Sequence, residues 1–126
     1  MPCEYLINHA ERLVCTTTSG VVTFKEVVAH QDALLADGSF DPTYDQLIDN
    51  TRAESFTMTA SEAEAIARRK LFSEKSLRAF VADKAVMYGV GRMMSIYYEL
   101  AVGPDLVGVF RDMKSASEWL RQRPRT

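Results

Sequence analysis

Apolar and polar positions along this chain change period several times, and each change marks an element. Glu4 to Asn8 and Arg12 to Thr18 read as two strands. Only a short connection, His9 with the turn at Ala10 and Glu11, separates them, so they form an antiparallel hairpin. The β-branched run from Thr16 to Thr18 suits a partly exposed strand. Ser19 and Gly20 are expected to break it. The period then switches to that of a helix: Phe24, Val27, Val28, Gln31, Leu34 and Leu35 share one face. Gln31 interrupts that face and needs a hydrogen-bond partner if it is buried. Asp37 and Gly38 end the helix, with Gly38 expected in the left-handed conformation.

Past the turn-rich connector from Phe40 to Tyr44, Gln46 to Asp49 makes a short third strand, and the hydroxyl-rich stretch 50–58 reads as a loop. Ala63, Ile66, Ala67 and Leu71 form a narrow helical stripe, with Arg68, Arg69 and Lys70 mostly on its wet side. Leu77 to Ala82 is apolar on both faces, as in a central parallel strand. Lys84 to Ala101 is a long helix despite Gly89 and Gly91. Each glycine costs about 1 kcal/mol against alanine in a helix interior, which implies a close neighbour or a kink. Leu106 to Phe110 is the fifth strand. A last helix turns Ala116, Trp119 and Leu120 inward and ends at Pro124.

Three S/T-x-x-E boxes punctuate this series: Thr23 with Glu26, Thr59 with Glu62, and Ser115 with Glu118. In such a box the hydroxyl accepts from a free backbone N–H at the helix start, and the glutamate reaches back to the cap's own N–H. Each is expected to open a helix. The order is ββαβαβαβα, an α/β fold with a mixed, mostly parallel five-stranded sheet. Strands joined through helices are parallel, with right-handed crossovers.

Composition narrows the class. One domain over residues 1–126 suits the length, and a core of that size needs no disulfide or metal staple. The chain is 47% hydrophobic and 25% charged with a net charge of −2, a near balance that argues against a dedicated nucleic-acid binder, which would show a basic face or stripe. Arg121, Arg123 and Arg125 read as a frayed, solvated tail over 121–126. Cys3 and Cys15 have neither CxxC spacing nor a histidine cluster. No signal-peptide pattern opens the sequence, and no apolar run approaches the ~18 residues of a membrane span. The expectation is a cytoplasmic protein.

Candidate chemistry is sparse. Ligands of open α/β sheets bind beyond the carboxyl ends of the strands, an edge expected to gather Asp49, Asp83 and Asp112 with Asn50, Thr51, Lys84 and Arg111. Three aspartates could hold Mg²⁺ in a metal-dependent hydrolase, though aspartate is equally the residue of turns and caps. Tyr88 and Arg92 lie one turn apart on the long helix. With Tyr97 or Tyr98 they could line a pocket for an anionic or amphipathic ligand. His9 and His30 stand alone in sequence, and Cys15 lacks an orienting third group for nucleophilic work. There is no phosphate loop, nucleophile elbow or dinucleotide fingerprint. No catalytic residue, metal site or cofactor is therefore assigned.

The succession of elements resembles the STAS superfamily of anti-anti-sigma factors, and more closely the small bacterial SpoIIAA-like proteins. Leu13 and Val14 before Ser19-Gly20, Phe40 to Pro42, and Leu47 to Asp49 carry the resemblance, with Tyr88 to Met93, Val109 to Arg111 and Ala116 to Leu120. It covers the chain from Tyr5 to Leu120. The resemblance implies helices mainly on one face of the sheet and a non-enzymatic role in protein–protein regulation or ligand sensing, with a partner yet to be named. It also implies a phosphorylatable serine at the start of the second helix. The matching stretch here is Met58 to Ser61, where the family's Asp-Ser-Ser-Gly has become Met-Thr-Ala-Ser, leaving Thr59 and Ser61 as the hydroxyls. A sheet covered mainly on one side leaves surface that a homodimer would cover. The alternative is a small-molecule or lipid carrier with Tyr88, Arg92, Met94 and Tyr98 as its pocket wall.

Overall fold

A computed structural model describes residues 3–122. Five strands and four helices follow in the order β1 (Cys3–Asn8), β2 (Leu13–Thr23), α1 (Phe24–Ala36), β3 (Asp45–Thr57), α2 (Ala60–Arg68), β4 (Arg78–Val81), α3 (Ala85–Val102), β5 (Val107–Phe110) and α4 (Met113–Gln122). The strands lie side by side in chain order. β1 runs antiparallel to β2, and every later pair is parallel. This is the mixed, mostly parallel sheet the sequence implies.

The register aligns side chains in rows across the sheet. One row runs Ile7, Val14, Gln46, Arg78, Val107, and the next runs Tyr5, Thr16, Ile48, Phe80, Val109. Because strand side chains alternate, both rows face the same side. A methyl group added at Gly91 of α3 would stand 3.2 Å from Val109 and 3.7 Å from Phe80, so α3 covers this face at close range. That approach explains Gly91; Gly89 meets nothing. α1 and α2 join α3 on this side. The opposite rows belong to α4, whose Trp119 packs on Phe110 with ring centroids 5.4 Å apart.

Several elements differ from their expected bounds. Ser19 and Gly20 do not end β2. The chain bulges there, with Gly20 at φ +63°, and pairing with β3 resumes to Thr23. β3 correspondingly extends through 50–57, the stretch expected to be a loop. Its polar character reflects position: β4 pairs only with Gln46 to Asp49, so the second half of β3 lies beside β2 alone. Thr23 and Thr59 both make complete capping boxes. The third box does not open a helix, because α4 starts earlier, at Met113, and the Asp112 carboxylate accepts from the Ser115 N–H at 2.7 Å. Gly38 is not left-handed; Asp37 caps α1 in extended geometry. The α1 face is also rotated: His30, Gln31 and Leu34 are buried while Leu35 is 49% exposed. Gln31 does find its partner, accepting from Arg69 at 3.0 Å, and Arg69 also pairs with Asp32. Arg121 belongs to α4 rather than to a frayed tail, while Arg123, Pro124 and Arg125 lie outside the described residues.

Candidate functional site

The helix-covered face carries an unusual set of buried polar side chains. Arg78 is the first residue of β4, with all four strand positions buried, and its alternation turns it toward the helices. It is 6% exposed. Its guanidinium lies between two rings, 5.0 Å from the centre of Phe72 and 4.4 Å from that of Tyr98. Burial pushes its pKa down, and the neighbouring Tyr98 partly offsets this. Arginine keeps its charge even so. Among the described residues no salt bridge reaches it, since the ion pairs are Arg68–Glu64, Arg69–Asp32 and Arg121–Glu11.

Around it lies a small hydrogen-bonded chain. Gln46, beside Arg78 in the register, donates through Nε2 to Thr16 Oγ1 at 3.0 Å, and that hydroxyl meets His30 Nε2 at 3.2 Å. His30 is 8% exposed. Its Nδ1 is buried with no hydrogen-bond partner among the described residues. Burial lowers its pKa, so it is neutral at pH 7. The Tyr5 ring lies 5.5 Å from it.

Arg78, Gln46, Thr16 and His30 line a cavity of about 60 Å³ between the sheet and α1, α2 and α3, completed by apolar walls that include Ile66, Phe80, Met58 and Met94. Taking about 10–15 Å³ for one water, this is room for four to six waters, or for the head and short stem of a small carboxylate. Its charged end lies at the amino ends of β3 and β4, opposite to the strand ends where a ligand was expected. Cys3 also lines it, with a thiol pushed up to about 11 by burial and by the Glu26 carboxylate. Cys15 lies in a surface groove with Leu47 and Leu120, and both thiols are free.

The expected site residues separate. Tyr98 lines the cavity together with Met94. Tyr88 does not; it is half-buried with the Arg111 guanidinium 4.1 Å above its ring. Arg92 is on the exposed side of α3. The reason is helical phase: ten residues make about 2.8 turns, so Tyr98 points well away from the Tyr88–Arg92 face. Thr59 Oγ1 is engaged in its cap, accepting from the Glu62 N–H at 3.1 Å, and Ser61 is exposed on the first turn of α2. The three aspartates do not form a metal centre. Asp49 accepts from the Thr51 N–H and hydroxyl, Asp112 caps α4, and Asp83 is exposed. No group of three metal-ligating side chains is present among the described residues. His9 is not isolated, since its Nδ1 meets the Tyr44 hydroxyl at 2.8 Å.

Arg78 and His30 are the residues that sequence reasoning missed. Arg78 had a signal: a lone charge inside a central apolar strand has no route to water. His30 had a weaker one, standing three residues from Val27 and four from Leu34 on a helical face.

No family model matches the chain, and no curated protein is similar to it. A solved structure is: an uncharacterised DUF3478-family protein from Shewanella loihica with a SpoIIAA-like fold. The two align over 94% of this chain and 91% of that one, with a TM-score of 0.59 and 18% identity. The chain therefore has a SpoIIAA-like, STAS-like fold. No described helix is long and apolar enough to cross a membrane.

Proposed function

We propose that this chain is a non-enzymatic STAS-like binding module whose interior cavity takes a small amphipathic carboxylate. The observation that carries this reading is Arg78, a buried cation faced by two aromatic rings and by no anion among the described residues. An uncompensated buried charge costs several kcal/mol, and two cation–π contacts, each worth about 2 kcal/mol when desolvated, offset only part. A carboxylate head would supply the missing charge in the bidentate geometry arginine favours. The free Nδ1 of His30 can donate to it in one tautomer, and the apolar walls take the stem. In this reading the ligand is held, not transformed. Among the described residues nothing beside it has the nucleophile–base–orienter arrangement that covalent chemistry needs.

Such a module serves as a carrier or as a sensor that reports occupancy to a protein partner. Native mass spectrometry of the protein purified from cells tests the proposal. A monomer heavier than the 14.2 kDa chain by the mass of a small organic acid, returning to bare mass on denaturation, is expected. Bare protein throughout contradicts a carrier that retains its cargo.

A further inference from the structure

The outer side of α3 carries a row of apolar residues that the fold leaves in water. Val86 is 74% exposed, Met93 40%, Ile96 58% and Leu100 80%. With the exposed Gly89 they recur at steps of three, four, three and four, the spacing of a coiled-coil seam. The buried side of the same helix, Met87, Gly91, Met94 and Tyr98, is a separate stripe against the sheet. α3 is thus apolar on two opposite sides, and among the described residues only one has a partner.

We infer that the outer seam of α3 pairs with the same seam of a second copy, antiparallel about a two-fold axis between Met93 and Ile96. Charge selects this occupant. Arg92 and Glu99 flank the seam on one side, and neither side chain makes an ion pair or hydrogen bond among the described residues. In the antiparallel arrangement Arg92 of each copy comes beside Glu99 of the other, giving two reciprocal pairs. In a parallel arrangement Arg92 would instead face Tyr97 and the charges would go unmatched. Shape agrees. The same two-fold axis sets Leu100, the most exposed apolar side chain of the row, over Gly89, where an added methyl group would meet nothing. Knob and hole are therefore both present on one surface, as an isologous interface requires. The seam from Val86 to Leu100 spans 15 residues, about 22 Å of helix, a small footprint beside the ~800 Å² per partner of a standard interface. The dimer is accordingly concentration-dependent. The seam and the cavity lie on opposite sides of α3.

Sedimentation velocity over a concentration series, with circular dichroism melts to confirm folding, tests it. The wild-type mass is expected to rise from 14.2 kDa toward twice that value. Arg92→Glu, which sets two glutamates against each other at both ends, and Ile96→Glu should each stay monomeric at concentrations where the wild type pairs. The double variant Arg92→Glu with Glu99→Arg should recover pairing. A wild type monomeric throughout overturns the inference, and the seam then belongs to another protein's helix. A dimer unaffected by Ile96→Glu overturns it equally, by placing the interface elsewhere. If the folded double variant fails to regain the pairing lost in Arg92→Glu, the antiparallel arrangement is wrong.

Discussion

The two faces of the sheet are built to different standards. On the α4 side the register places Leu47, Ala79 and Gly108 in one row, and Phe110, Trp119, Ala116 and Leu120 fill the space above. Packing there is tight enough that a methyl group added at Gly108 would stand 2.7 Å from the Phe110 ring. On the other side three helices cover a row holding Gln46 and Arg78 beside one holding Thr16, and they leave a cavity. A surface groove of about 400 Å³ also opens on the α4 side, along Leu13, Cys15, Leu47 and Leu120, so free space does not distinguish the two faces. What sets the other face apart is the polar and charged set buried in and above its rows: Thr16, His30, Gln46 and Arg78.

Substitutions can break that comparison. The largest loss is expected on the α4 side: Leu120→Ala, at a position 5% exposed, should cost about 2–5 kcal/mol in urea denaturation. Arg78→Met on the binding side should instead leave stability unchanged or raise it by about 1–4 kcal/mol, as when buried charges give way to apolar groups of similar volume. A loss comparable to that of Leu120→Ala would make Arg78 a structural residue and remove the contrast. A smaller effect appears with pH. His30 is held below its ordinary value of 6.5 by burial, so the unfolded chain binds the proton more readily. Stability should be complete above pH 6.5 and fall as pH drops below it, and His30→Leu should flatten that slope. Asp37, Asp41 and Asp112 are lowered from 3.8 by hydrogen bonds, so their contribution is lost only as pH falls below about 3.8, in a separate window. Smallest is Thr59→Ala, which removes a cap worth about 1 kcal/mol and should not alter ligand binding. If it abolishes binding to a protein partner at that modest loss, Thr59 has a role beyond its cap.

The sequence made the fold legible because local rules and tertiary contacts agree. Two capping boxes, a hairpin turn and the switch from period 2 to 3.6 give the element order. Agreement fails where distant partners decide. The second half of β3 is a strand because β2 continues beside it past a bulge, and its polar residues cannot show that. The Ser115–Glu118 spacing lost to Asp112, which caps the helix three residues earlier and leaves Ser115 inside the first turn. The site was the least legible part. Tyr98 was within reach from the aromatic content of α3, but Arg78 and His30 come together only when β4 and α1 cover the same layer. Pairing Tyr88 with Arg92 followed helical spacing correctly and selected the side of α3 that faces away from the cavity.

Isothermal titration of butyrate and hexanoate into the wild type and into Arg78→Met tests most directly whether Arg78 is a buried charge that takes an anion. The wild type should bind one carboxylate per chain, and the variant, folded and at least as stable, should bind none. Equal affinity in the two proteins, or no binding of either acid to ligand-free wild type, would contradict it.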